Sequence, residues 1–307
     1  MIGRFPPVRQ QTPWRTALRG SRLVGARSGM IKAMRIRILM LCSVVGVATS
    51  LASCHRPIEH VPGAPVPVPR VGGPVQRLSQ PEQKAVAHPV EPDRRIGAIF
   101  IDGGPLHVCT GSVVHSTGGN LIITAAHCLA GASLITFVPG FAGDAAPAPP
   151  DVWKADAVYL DPRWSASKDP HADYAIARVS NDAGTGVEAR VGLALTLGVT
   201  PPPGSRVTVL GYPVGVGGSP IGCQGSTSLS DSGFPALACE GLVDGTSGAP
   251  WVSGTMLTGL IGGLERGGCA ADVSYSAPFD AQTAELLARA QDGGPGDPIP
   301  NDLQDAC

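Results

Sequence analysis

The chain has 307 residues, 43% hydrophobic, 15% charged and only 5% aromatic, with 41 glycines and 30 prolines. So much Gly and Pro excludes a helical bundle and favours a loop-rich all-β protein. The formal charge of −1 averages two unlike parts: residues 1–54 hold nine Lys or Arg and no Asp or Glu, so the remainder sits near −10 and offers no basic face to a nucleic acid.

In chain order, Lys32, Arg35 and Arg37 lead into an apolar run over residues 38–48. That is the length of a secretory signal core, and well short of the ~20 apolar residues of a membrane-crossing helix. Met30 and Met34 precede the run, so the basic stretch before them reads as an over-extended start. The run closes on Leu51-Ala52-Ser53-Cys54, which resembles a bacterial lipobox and implies lipidation of Cys54; an ordinary cleaved signal is the alternative. Residues 1–53 are thus expected to be a targeting segment. Residues 54–95 hold nine prolines and no apolar periodicity, and read as a Pro-rich tether of extended polyproline character or as a pro-segment.

From residue 96 the pattern changes to short β-runs broken by Gly, Pro, Asn and Asp. Six strands are expected over 96–101, 109–114, 121–125, 134–138, 154–160 and 174–179. A Pro/Gly-containing connection over 181–205 precedes six more at 206–210, 221–226, 236–240, 250–252, 257–261 and 272–276. Regular short strands suggest sandwiches or barrels. The one strong helix signal after the targeting segment starts at Asp280 and runs to Ala290, and 291–307 reads as a C-terminal tail. Cys109, Cys128, Cys223, Cys239, Cys269 and Cys307 form an even set in an exported chain, which suggests disulfides.

Three motifs carry chemistry. Leu121-Ile122-Ile123-Thr124-Ala125-Ala126-His127-Cys128 runs a strand into a histidine, Asp173-Tyr174-Ala175-Ile176-Ala177 sets a carboxylate at the head of another strand, and Gly245-Thr246-Ser247-Gly248-Ala249-Pro250 places a serine between glycines. In this order and spacing they resemble the trypsin-like, chymotrypsin-fold serine protease family in its bacterial secreted form, over about residues 96–290. The resemblance implies an all-β domain of two antiparallel six-stranded β-barrels (about 96–180 and 205–280) with a short C-terminal helix. It implies serine endopeptidase activity, with His127 as general base and acid, Asp173 as its orienting carboxylate and Ser247 as nucleophile. Asp169 is the alternative carboxylate, and Asp156 and Asp161 stand behind it. The oxyanion hole needs amides at the serine and two residues before it, in a loop that glycine permits. Gly245 and Ser247 meet that need; Asp231-Ser232-Gly233, a superficially similar motif, has Ser230 in the first place.

The resemblance also pairs Cys109 with Cys128. For the rest, Cys223–Cys239 with Cys269–Cys307 is preferred, and Cys239–Cys269 is the rival. Two departures matter. Thr246 stands where digestive trypsins carry an Asp that receives a newly cut N-terminus, so Ile96, after Arg94-Arg95, is expected simply to begin a strand. Gly241 occupies the position of the trypsin specificity carboxylate, with Glu240 one step off, and Ile261-Gly262-Gly263 is expected to form the extended pocket wall. No spacing among His107, His115 and His171 suits a metal, and no metal or cofactor is implied. The expected protein is a monomer acting on protein or peptide substrates outside the cytoplasm, touching a membrane only through Cys54. A catalytically inactive binding module of the same fold, or an esterase using the same site, are the alternatives.

Overall fold

The computed structural model describes residues 84–143 and 151–301. The targeting segment, Cys54, the tether up to residue 83 and Cys307 lie outside the described residues. The remainder of the stretch assigned from sequence to the tether is built into the fold. It forms two short strands, β1 (Ala85–Val86) and β2 (His88–Pro89). Ala85 and Ala87 pack on the core of the second sheet, and the Ala87 amide donates to Glu240 O at 2.7 Å. Pro89 is tolerated because it ends a strand at a sheet margin, where a missing N–H removes nothing essential.

Ile96 begins β3 (Ile96–Ile101), its amide donating to Asp93 O at 2.9 Å in the continuous chain. With β4 (His107–Val114), β5 (Leu121–Thr124), β6 (Ile135–Pro139), β7 (Trp153–Leu160) and β8 (Ala175–Ser180) it closes a six-stranded barrel in the order β3-β4-β5-β8-β7-β6. Ile99, Ile123, Phe137, Trp153 and Ile176 fill the interior and are fully buried. Between β7 and β8 lies α1 (Pro162–Ser167), capped by the Asp161 carboxylate accepting from the Arg163 amide. At six residues it is too short to show a hydrophobic period.

The 181–205 connection carries α2 (Val187–Val191) and β9 (Thr196–Leu197), which sequence does not signal for the same reason. The six later strands are all present: β10 (Arg206–Gly211), β11 (Ile221–Leu229), β12 (Pro235–Glu240), β13 (Pro250–Ser253), β14 (Met256–Leu260) and β15 (Val273–Tyr275). Three additional short strands join them. β1 runs parallel to β12, β2 antiparallel to β11 and β9 parallel to β14, giving a nine-stranded sheet. Val207, Val209, Leu237, Trp251 and Ile261 form its core, braced by the Cys223–Cys239 disulfide.

α3 (Ala281–Asp292) opens with a full capping box between Asp280 and Thr283, and buries Leu286 and Ala290 against the barrel core. The chain after it does not hang free: Asp297 donates its amide to Val158 O at 2.7 Å and accepts from the Leu160 amide and Arg289. Among the described residues, no helix is long and apolar enough to cross a membrane.

Candidate active site

β5 is a fully buried apolar strand, and it delivers His127 one residue into the 3-10 turn Ala126–Leu129. The turn is pinned by the Cys109–Cys128 disulfide to the neighbouring strand β4. The alternative pairing of Cys239 with Cys269 does not occur, because Cys239 is bonded to Cys223; Cys269 is disulfide-bonded as well.

Asp173 ends the 3-10 turn Pro170–Ala172 immediately before β8 and is wholly enclosed. Its Oδ1 accepts from the His127 amide at 2.9 Å, while Oδ2 lies 2.7 Å from His127 Nδ1 and accepts the Gly263 amide at 2.8 Å. Burial alone would push this carboxyl up. The His127 ring, by charge and hydrogen bond, and the two amides outweigh burial and hold it below the usual carboxylate range. An ionised carboxylate only accepts, so His127 Nδ1–H is the donor to it, and in the neutral imidazole this tautomer has Nε2 as the acceptor. The other acids have other partners. Asp169 accepts from His171, Asp156 from Ser180, and Asp161 from Arg163 and Tyr174.

Gly263 is the contributor that sequence did not single out in this role. β14 ends at Leu260, and of the expected wall Ile261-Gly262-Gly263 only Ile261 lines the cleft. Gly263 turns at φ +81°, the chain enters the short turn Leu264–Gly267, and the Gly263 N–H is committed to Asp173 rather than to the cleft. A Cβ on neighbouring Gly262 would stand 3.1 Å from Asp173 O and 3.2 Å from its Oδ2, so a side chain there would crowd the carboxylate.

Ser247 and His127 line one cleft of about 770 Å³. The serine loop runs Asp244-Gly245-Thr246-Ser247-Gly248. Gly245 has φ +90°, and a Cβ on it would come within 2.1 Å of Val214 N and 2.7 Å of Pro213 C and Tyr212 O. Gly248 has φ +81°, and a Cβ there would meet Thr110 O at 2.1 Å and Thr124 Oγ1 at 2.3 Å. Neighbouring amides are spent inside the protein, Thr246 N–H on Val243 O and Gly248 N–H on Ile261 O. Among the described residues, the Gly245 and Ser247 amides donate to no protein acceptor. Ser232, in contrast, sits in the exposed β11–β12 hairpin turn, with its hydroxyl 3.1 Å from Ser230 Oγ.

The cleft's second-sheet side is lined by buried Leu242, Ile261 and Ser274 and by the more exposed Asp244, Glu265 and Arg266. Gly241 is not part of this lining, and Glu240 pairs instead with Lys84 at 3.2 Å. Cys109, His127 and Cys128 cluster closely enough to suggest a metal site, but the two sulfurs are spent on each other in the disulfide and cannot serve as thiolate ligands.

Residues 109–258 match the model of the trypsin-like peptidase domain. No curated protein sequence matches the chain. Among solved structures, it is similar to the protease Anisep from Arthrobacter nicotinovorans, at 23% identity and TM-score 0.59 over 68% of this chain and 100% of that one. It is also similar to the thermostable serine protease AL20 from an extremophilic microorganism, at 24% identity and TM-score 0.57 over 66% of this chain and 99% of that one. Human heparin binding protein follows at 15% identity and TM-score 0.53, over 69% of this chain and 98% of that one. At these identities the structural likeness speaks to fold. Taken with the family match, it makes the segment from Cys109 to Thr258 of this chain a trypsin-like peptidase domain on a chymotrypsin-like fold.

Proposed function

We propose that the chain is a serine endopeptidase that cleaves peptide bonds through an acyl-enzyme. Ser247 Oγ attacks the scissile carbonyl, and His127 Nε2 takes the hydroxyl proton and returns it to the leaving amine. Asp173 holds the Nδ1–H tautomer and stabilises the imidazolium that forms. The amides of Gly245 and Ser247 receive the oxyanion. The observation that carries this reading is the enclosed Asp173 carboxylate, kept ionised and committed to His127, on a cleft that also holds Ser247.

Fold alone does not choose between catalysis and binding, since one structural neighbour is named for binding heparin. The two amides of the serine loop that donate to no protein acceptor favour catalysis, because a binding module has no need of them. Thr246 rather than an acid before the serine, with Ile96 taken up as the first residue of β3, supports a site formed by folding without a cut. The Cys109–Cys128 and Cys223–Cys239 bridges suit an oxidising compartment, and we assign the protein to the cell envelope, anchored by lipid at Cys54.

Fluorophosphonate labelling of the full chain beside Ser247→Ala and Ser232→Ala tests the assignment. Labelling lost only in Ser247→Ala supports it. A folded wild type that takes no label refutes it.

A further inference from the structure

One residue outside the three motifs binds both halves of the candidate site at once. Thr110 lies on β4 next to disulfide-bonded Cys109, and it is wholly buried. Its amide donates to Ser247 O at 2.8 Å, and its hydroxyl donates to Gly245 O at 3.1 Å. The same hydroxyl accepts the Tyr212 amide at 2.8 Å. Its carbonyl accepts from Thr124 Oγ1 at 2.7 Å, and Thr124 stands three residues before His127 on β5. Thr110 therefore hydrogen-bonds to the serine loop at both proposed oxyanion residues, to the strand that delivers the histidine, and to the 211–214 segment. That last segment packs against the far side of the loop, where Val214 N would touch any Cβ on Gly245.

These contacts fix the loop's position in two directions. Gly248 presses on Thr110 O and Thr124 Oγ1 from one side, leaving no space for a methyl group. From the other side, the Thr110 hydroxyl holds the carbonyl of Gly245 and so orients the peptide plane that follows it. The Gly245 amide itself lies one bond before its Cα, so a shift of this residue carries the oxyanion donor with it. Among the described residues, the other hydrogen bonds of the serine loop go elsewhere than β4: Thr246 Oγ1 and Thr246 N both bond to Val243 O, and Gly248 N to Ile261 O.

We infer that Thr110 is a positioning residue, whose hydroxyl sets the serine loop in register with the histidine-bearing barrel so that the Gly245 and Ser247 amides and the Ser247 hydroxyl share one geometry with His127. The inference rests on the acyl-enzyme reading above. Transition-state donors act only within a few tenths of an ångström of their place, and small misplacements from remote changes cost rate rather than binding. The loss should thus appear in kcat and not in KM.

The experiment compares wild type, Thr110→Val and Thr110→Ser in the full chain, with ester-substrate kinetics and the rate of fluorophosphonate labelling, each normalised to folded protein by near-ultraviolet dichroism. Thr110→Val keeps the volume and removes the hydroxyl; it is expected to lower kcat and the labelling rate on the order of 10- to 100-fold with KM changed by less than about threefold. Thr110→Ser restores the hydroxyl and is expected to return kcat to within about threefold of wild type. Should the valine variant not fold, Thr110→Ala makes the same deletion in a smaller side chain. A lower melting temperature with unchanged kcat per folded molecule would overturn the inference, as would a serine variant as slow as the valine one. If the wild type itself takes no label, the acyl-enzyme reading fails and this inference falls with it; labelling in wild type with equal rates in all variants sinks the inference alone.

Discussion

Replacing Gly245 by alanine asks two separable questions of the serine loop. The first is backbone strain. Gly245 sits at φ +90°, where an L-residue costs about 1–2 kcal/mol. The second is contact. The new methyl would stand 2.1 Å from Val214 N and 2.7 Å from Pro213 C and Tyr212 O, all backbone atoms that no rotamer change can move away. Overpacking of that kind costs about 1–3 kcal/mol more. The sum, about 2–5 kcal/mol, corresponds to a fall in melting temperature of roughly 4–20 °C for a domain of this size. Gly254→Ala supplies the control. Gly254 also has a positive φ, +64°, but nothing lies within 4 Å of its Cβ position, so it should show the strain without the contact. The loss of unfolded-state freedom on going from Gly to Ala is common to both and cancels. In the proposed mechanism the same displacement moves an oxyanion donor, which should lower the fluorophosphonate labelling rate per folded molecule by on the order of 100- to 1000-fold in Gly245→Ala and leave Gly254→Ala near wild type. Equal melting temperatures for the two variants would refute the contact argument, and a Gly245→Ala protein labelled at the wild-type rate would refute the role of its amide.

Acid should weaken the fold. Asp173 and Asp161 are buried and Asp93 is half-buried, which pushes their carboxyls up, yet His127, Arg163 with Tyr174, and Arg95 respectively overcome this and hold them below the usual range. The unfolded chain therefore takes up these protons first. Stability is complete above the ordinary carboxylate value of about 4 and drains as pH falls through the lower folded values. Melting temperature followed from pH 6 down to 2 should fall, and a rise would contradict the assignments. The segment before Ile96 should matter as well: a chain starting at residue 92, which keeps Asp93 and its bonds to Arg95 and Ile96, loses the Ala87–Glu240 and Val90–Pro220 hydrogen bonds and the packing of Ala85, Ala87 and Val90. It is expected to be about 2–4 kcal/mol less stable by denaturant titration than one starting at residue 84, and equal midpoints would show the segment to be incidental. The buried side chains on the second-sheet side of the cleft, Leu242, Ile261 and Ser274, carry no charge, and the charged Asp244, Glu265 and Arg266 are the more exposed part of its lining. Peptide-library cleavage should favour an uncharged residue on the acyl side over Arg, Lys, Asp or Glu by on the order of 100-fold, and preferred cleavage after any of those four would exclude this reading of the pocket.

Much of the strand framework was legible because period and punctuation agree. Each run from Ile96 to Val179 is apolar, short and bounded by turn residues, and each became a barrel strand within two residues at either end. The misses share a physical cause. β1, β2 and β9 are two residues each, and α1 and α2 have six and five, so none is long enough to show a period. Their positions are decided by what they pack against. Ala85 and Val86 form strand because β12 pairs with them and offers an apolar surface, and the Ala87 amide finds the Glu240 carbonyl, facts about residues some 150 positions away. The prolines that marked this stretch as a spacer report only that its backbone is extended, which a margin strand also is.

The site divides along the same line. In the proposed mechanism His127, Asp173 and Ser247 are the residues that sequence can pick out, because acyl transfer of that kind demands particular side chains next to particular strands and glycines. Gly263 and Thr110 do not stand out, because what they supply is an amide, a carbonyl or a hydroxyl at one place in space, and almost any residue carries the first two. Gly263 reads as room for a substrate, yet its N–H is the third donor to Asp173. Thr110 reads as one more strand residue after a cysteine, yet it hydrogen-bonds to both Gly245 and Ser247 and to the strand before His127. The side chains of the three motifs come from separate strands and loops of two sheets, and no local sequence can hold them in mutual register to a fraction of an ångström. That register has to come from groups that bridge the sheets. Motif reading is therefore strongest for the reacting atoms and weakest for the buried hydrogen bonds that align them, and those are the positions where substitution should change rate without changing any residue of the motifs.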